Sequence, residues 1–384
     1  MATFGKLFLI FHGRFPGEKA AAIFTAKSAE AFAELGFEVV VLAPRRLGRS
    51  RESPSKYFGT KNNFRVVFLP VVDIFWMPFL KRFAFLKSYV TFSMSVFFYL
   101  LFRAEKNDII YSNEALPLLY ASLVSSKTFY EVHDFPKKSW VNKRLFMRAQ
   151  GIIVTNRWKR DELIKRFRLA PRRVLFEPNA VDAFRFGSAK GEPVRQHLPL
   201  PGGTILVGYA GSLKTMGMEK GIELLLKVMS LLSEQFRLLI IGGLREDIAM
   251  YQKQTEKLGI EKRVVFAGWM HYDNVPEHLA ACDVLVAPFP KTEHYDLYMS
   301  PMKLFEYMAV GKPIVASRLR AIEEVVDDSS AFLVEPGSAQ ALADGIVSAI
   351  GEGASLRAER AQEKVADHTW DKRAERIANF IKSE

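Results

Sequence analysis

One cysteine among 384 residues excludes an intramolecular disulfide. Cys282 lies in the apolar stretch AACDVLVA, where it reads as a small core residue, and a chain so poor in cysteine suits a reducing compartment. The dinucleotide fingerprint G-x-G-x-x-G is missing, and so is any D-x-D pair. Within the aromatic stretch Ile74 to Phe102 the longest charge-free run, Ser88 to Phe102, has fifteen residues, serines and a threonine among them, below the eighteen or so expected of a membrane-spanning helix. The opening MATFGKLFLIFHG carries one lysine before a short apolar run, too short for a signal peptide and suited to a first buried strand.

With 49% hydrophobic and 25% charged residues the chain has an ordinary globular makeup, and its length favours two domains. The net charge of +12 is unevenly spread. From Lys137 to Arg173 thirteen basic residues stand against two acidic ones, Asp161 and Glu162. A field of that sign attracts an anionic membrane, a nucleic acid or a phosphorylated substrate.

In order, Leu7 to Phe11 predicts a strand, HGRFPGEKAA a loop, and Phe24, Ser28 and Phe32 the inner face of a helix ending at Gly36. Strand Glu38 to Leu42 completes a unit typical of nucleotide-binding parallel sheets. Arg45 to Asn63 reads as a polar, mobile loop. Ile74 to Phe102 is rich in aromatics, among them Phe75, Trp76, Phe79, Phe83, Phe92, Phe98 and Phe102, punctuated by Lys81, Arg82, Lys87 and Arg103. Two readings stay open: a helix pair with one face in the core, or an aromatic and basic surface dipping into anionic headgroups. His133 and Asp134 end the strand Lys127 to Val132, where open α/β sheets place ligands. Gly187 to Gly203 reads as a linker. Beyond it TILVGYAGSL, RLLIIGG and VVFAGWM predict strands, and Ile222, Leu225, Met229 and Leu232 an amphipathic helix opened by Lys220 and Gly221. Trp370, Ala374, Ile377 and Ile381 mark one side of a final helix.

The most informative stretch is YMSPMKLFEYMAVGKPIVAS, residues 298 to 317. Ser300 predicts an N-cap and Pro301 the first helical position, with a stop at Gly311. The first turn of such a helix suits a phosphate. Glu306, about a turn and a half further in, leans back toward that end and can reach sugar hydroxyls.

This stretch resembles the donor-site signature of glycosyltransferase family 4 in the variant S-P-x-K-L-F-E-Y-M-A-x-G-K-P. The resemblance implies an α/β GT-B fold, with two Rossmann-like parallel-sheet domains facing a deep cleft and a C-terminal helix crossing back to the first. The corresponding domains are 1–187 for the acceptor, 188–363 for the donor, and 364–384 for that helix. It further implies a retaining transfer of a hexose-type sugar from a nucleoside-diphosphate sugar, with Glu306, Lys220 and His133 as catalytic residues. Donor contacts would come from Gly17, Ser212, Lys214, Gly243, Trp269, Met270, Tyr298, Ser300, Pro301, Met302, Lys303 and Leu304, and acceptor contacts from Glu18 and Lys19. Two departures stand out: Tyr298 occupies the place of a second Glu, which Glu293 or Asp296 would replace, and Ser212 the place of an Arg, with Lys214 as substitute. No cofactor and no metal are expected, since two cations and a helix start stabilise a leaving diphosphate. The acceptor is expected to be a glycan or lipid-linked sugar at an anionic membrane, with the protein peripheral on the cytoplasmic face and no nucleic acid bound. The alternatives are a GT-B protein that binds nucleotide without transfer and a basic nucleic-acid-binding protein.

Overall fold

The computed structural model describes residues 5–48, 50–73, 81–215 and 217–384, with the backbone alone for 81 and 82. Short apolar runs buried on both faces form two parallel sheets, as expected where helices cover each side. In the first, β1 (Lys6–Ile10), β2 (Glu38–Pro44), β3 (Arg65–Leu69), β4 (Ile109–Ser112), β5 (Thr128–Val132), β6 (Gly151–Val154) and β7 (Val174–Phe176) run in the order 3-2-1-4-5-6-7. Its register pairs Leu9 of β1 with Val41 on one side and Tyr111 on the other. The second unit carries β8 (Ile205–Ala210), the antiparallel pair β9 (Lys214–Thr215) and β10 (Met218–Glu219), then β11 (Phe236–Ile241), β12 (Val264–Gly268), β13 (Val284–Ala287), β14 (Ile314–Ser317) and β15 (Phe332–Val334). Its six-stranded sheet has the order 12-11-8-13-14-15. Each order reverses once, between β1 and β4 and between β8 and β13, and the carboxyl ends at those two places are where such sheets bind ligands.

The chain divides into Met1–Pro178 with Trp370–Glu384, and Asn179–Thr369. The helix Trp370–Ser383 therefore completes the first unit. Its Trp370 ring meets Phe24 edge-on at 5.4 Å, and its Arg373, fully enclosed, donates to Glu131 Oε1 at 2.5 Å and to the Pro178 carbonyl at 2.8 Å.

Several expectations are corrected. The division falls at Pro178, ahead of the expected Gly187, because Asn179 already bonds to Ser300 and Val181 bridges to Thr369. Within the expected linker, Glu192–His197 is helical, and Arg195 fastens it to Asp283 at 3.0 Å and the Ala281 carbonyl at 2.9 Å. The expected loop from Arg45 holds a helix, Pro54–Phe58. Ser53 caps it and its Phe58 packs on Phe15, 5.3 Å between rings. Ser300 is not the cap of its helix, which spans Met302–Val310 with Pro301 at the flanking position. Asn179 draws Ser300 away, its N–H reaching Ser300 Oγ at 3.4 Å and its Nδ2 the Ser300 carbonyl.

Among the described residues the aromatic stretch forms one helix, Lys81–Arg103; Phe75, Trp76 and Phe79 lie outside them. From Phe83 to Arg103 it is long and apolar enough to cross a membrane. Yet Ala84, Ser88, Phe92, Val96 and Leu100 are wholly buried, and Phe92, Val96 and Leu100 pack in the core of the first unit. That side is a wall of the domain, while Leu86, Met94, Phe98, Leu101 and Phe102 on the other are exposed.

Candidate active site

In the second unit the helix Met302–Val310 is docked onto the end of β8, where Tyr307 Oη accepts from the Ala210 N–H at 2.8 Å. No side chain caps its start. The Leu304 N–H is taken by the Pro301 carbonyl at 3.1 Å, which leaves the Met302 and Lys303 amides to the first turn. Amides of this kind, backed by the helix dipole, favour an anion.

Glu306 is buried, contrary to a solvated helix face, and accepts the Tyr272 hydroxyl at 3.0 Å. Burial pushes its carboxyl up to about 7, against the opposing pull of Tyr272 and Lys303. Lys220 Nζ donates to Ser212 Oγ at 2.8 Å, and burial lowers its ammonium to about 8. Lys303 is also buried, its Nζ 3.6 Å from the Tyr209 ring centroid and 5.1 Å from that of Phe289. Lys214 lies elsewhere: its Nζ turns to Met250 Sδ at 3.5 Å and Asp247 at 3.8 Å, so it does not replace the cation absent at Ser212.

Gly243, at φ +95°, has a packing reason for its identity. A Cβ there would come within 2.8 Å of Leu213. Trp269, 42% exposed, and Met270 follow β12, with the Trp269 ring 5.1 Å from that of His271. The polar segment before Ser300 is a single π-helical turn, His294–Tyr298. It brings the Tyr298 hydroxyl onto the Glu293 carboxylate, so a carboxylate is present next to the place that Tyr298 takes. Asp296 is engaged with the Arg320 N–H at 2.9 Å. A surface cavity of about 620 Å³ beside Asp283, Lys312 and Pro313 opens at the amino ends of β8, β13 and β14, the edge opposite these residues.

In the first unit His133 follows β5, with Nε2 3.2 Å from Glu131 Oε1 and its ring edge-on to Phe24 at 4.6 Å. Glu131 is buried; burial would raise its carboxyl, but Arg373, His133 and the Tyr111 hydroxyl outweigh it and hold the group at about 2. Arg373, from the far end of the chain, thus anchors the carboxylate that faces His133. Gly17 is buried, whereas Glu18 and Lys19 are exposed just ahead of the helix Ala20–Glu34.

Three residues that the sequence reading passed over meet at the β1/β4 reversal. The His12 N–H donates to Glu114 at 3.2 Å, and Arg46 donates to the His12 carbonyl at 2.9 Å. Burial, with Arg46 beside it, lowers the His12 imidazole to about 3 and keeps it neutral, while burial raises Glu114. Their common signal is position: each stands one or two residues past the end of β1, β2 or β4.

Residues 204–352 match the family described as glycosyl transferases group 1, and residues 21–185 match glycosyltransferase family 4. Among curated relatives, the chain is 26% identical over 216 residues to D-inositol 3-phosphate glycosyltransferase of Corynebacterium urealyticum, covering 53% of this chain and 49% of that one. It is 24% identical over 271 residues to O-antigen chain mannosyltransferase B of Escherichia coli, covering 67% and 68%. The chain thus spans about half the length of the first curated relatives it matches. Among solved structures, sucrose-phosphate synthase from Thermosynechococcus elongatus aligns over 99% of this chain and 98% of its own with a TM-score of 0.80 at 19% identity. Anabaena HepE in complex with UDP-glucose aligns over 99% and 100%, with a TM-score of 0.75 at 19% identity. Two Rossmann-like parallel sheets, matches to the family over both of them and these structural neighbours place the chain in glycosyltransferase family 4, with the GT-B fold.

Proposed function

We propose that the protein transfers a hexose-type sugar from a nucleoside-diphosphate sugar, with retention, to a glycan or lipid-linked acceptor at a membrane surface. The observation that carries this reading is the buried Glu306, held by Tyr272 on a helix whose uncapped start adjoins the Lys220–Ser212 pair. In it the diphosphate lies on the Met302 and Lys303 amides and Lys220, Glu306 grips the ribose, and Trp269 and Met270 border the base. Those charges act on the departing diphosphate without a metal. His133 serves the sugar and Glu18 and Lys19 the acceptor. The bound nucleotides named for Anabaena HepE are UDP and UDP-glucose, which supports a donor of this class.

The membrane part of the reading rests on the outer side of the helix Lys81–Arg103. Its exposed Leu86, Met94, Phe98, Leu101 and Phe102 are bordered by Lys87 and Arg103, and the helix Trp140–Arg148 of the same unit also exposes Trp140 and Met147. An apolar face with a basic margin suits an anionic headgroup layer, which supports the proposal of a peripheral protein on the cytoplasmic face of a membrane.

A thermal-shift screen of nucleoside diphosphates and their sugars tests the donor, because a true donor raises the melting temperature by mass action. The donor so found is then assayed for transfer with and without a chelator. Transfer that Glu306→Ala abolishes and the chelator leaves intact supports the reading; no shift with any nucleotide overturns it.

A further inference from the structure

His133 is the residue of the first unit that the reading above assigns to the sugar, and its ring is held from two sides. Phe24 meets it edge-on at 4.6 Å, and Nε2 stands 3.2 Å from Glu131 Oε1. That nitrogen is shut off from solvent, while the side chain as a whole is 29% exposed. What the ring offers outward is therefore the rest of its edge, of which Nδ1 is the one polar atom.

By packing alone Glu131 is an unfavourable neighbour. In β5 it shares a face with Phe129, and the final helix covers both, with Phe380 6.2 Å from the Phe129 ring and Arg373 on the carboxylate. On the next strand Tyr111, in register with Phe129, packs on Phe32 at 5.8 Å. An apolar side chain would suit that layer, and exchanging a buried ion pair for apolar groups is often neutral or stabilising. Instead the position takes a carboxylate, kept charged against burial by Arg373 on Oε1 and the Tyr111 hydroxyl on Oε2, each at 2.5 Å. Packing gives no reason for this choice, whereas the ring beside it does. Nε2 approaches off the line of a full hydrogen bond, so the carboxylate acts on the ring through its charge. A negative oxygen at 3.2 Å repels a nitrogen lone pair and attracts an N–H.

We propose that Glu131 and Arg373 are positioning residues for the transfer: they fix the His133 proton on Nε2 and so leave Nδ1 as a hydrogen-bond acceptor for a hydroxyl of the donor sugar. The proposal rests on the reading of His133 as serving that sugar. It gives the last helix a part in the reaction, because Arg373 is what lets a charge stand at Glu131.

The test joins nitrogen NMR of the imidazoles at pH 8, above the ordinary histidine range, to steady-state transfer with the donor found in the screen. His133 is assigned by the signal missing from His133→Gln. In the wild type it is expected as a single tautomer, protonated on Nε2. Tyr111→Phe, Glu131→Met and Arg373→Met made together leave no buried charge stranded, so that variant is expected to melt within a few degrees of wild type and to bind the free nucleoside diphosphate as tightly. Its His133 is expected to show both tautomers, and its kcat to fall about tenfold, the size of one hydrogen bond. Glu131→Gln with Arg373→Met is the second variant should the first not fold; the same fall is expected, since an amide has no charge to fix the proton. A wild type protonated on Nδ1, a variant that keeps the single tautomer, or one that transfers as fast as wild type overturns the assignment. A wild type that transfers from no donor overturns the underlying reading of the site, and the assignment with it.

Discussion

Tyr272 and Glu306, thirty-four residues apart, meet through a single hydrogen bond of 3.0 Å inside the second unit. The pair fixes the carboxyl beneath the helix start while burial keeps it protonated up to about pH 7.

That arrangement sets a stability trend with pH. The folded carboxyl binds its proton up to about 7, against 4.5 when unfolded, so stability falls as pH rises between those values. Glu306→Gln removes the loss, which is at most about 3 kcal/mol. The variant should melt with wild type at pH 5 and above it at pH 8, as scanning calorimetry without ligand would read.

Donor use should peak in a narrow window. In the proposed reading the ribose needs the Glu306 carboxylate, formed above about 7, and the phosphates need the Lys220 ammonium, lost above about 8. Tyr272 and Lys303 face Glu306, and Lys303 also faces Lys220, so the limbs are coupled. The profile of kcat/KM against pH should be a bell with its maximum between these values, and Glu306→Gln should flatten its acid limb.

Arg373 holds together the first unit. Arg373→Met strands Glu131 without its guanidinium and should cost about 3–5 kcal/mol in urea unfolding. Pairing it with Glu131→Gln should recover much of the loss. The ion pair's contribution is present above the ordinary carboxylate range and fades as pH falls toward 2.

The outer side of the helix Lys81–Arg103 should bind lipid. Replacing Phe98, Leu101 and Phe102 with serine should weaken sedimentation with phosphatidylglycerol vesicles by about tenfold or more per side chain, given about 1.5–3 kcal/mol for burying each. The melting temperature should hold, since all three are exposed. Unchanged sedimentation would remove the membrane from the reading.

Glu293 should matter to the sugar rather than to the nucleotide. Glu293→Gln is expected to lower kcat with little change in the affinity for the free diphosphate, and Tyr298→Phe to do so more weakly, because it only orients Glu293.

Much of this was legible in the sequence, for identifiable reasons. Continuous apolar runs such as Val39 to Leu42 announce parallel strands buried on both faces, and the stretch around Glu306 carries the family resemblance because so many neighbouring positions agree. What escaped was long-range. Ser300 reads as a cap until Asn179, 121 residues earlier, claims it. Lys214 reads as the missing cation until Asp247 claims that side chain. Arg373 reads as one charge on an amphipathic helix, although it is the enclosed partner of a carboxylate 242 residues away. Local spacing carries no trace of such partners. Ser53 and Pro54, by contrast, did carry a helix-start signal, hidden by the charge around them.

Because Trp370–Ser383 closes the first unit although it follows the whole of the second in the chain, the opening 178 residues leave the ribosome with Glu131 still lacking its guanidinium. The first unit must wait, incomplete, until the segment Trp370–Ser383 has been made. A stop codon before Arg373 would therefore damage the half made first, and any attempt to express the halves separately has to supply the tail along with the beginning.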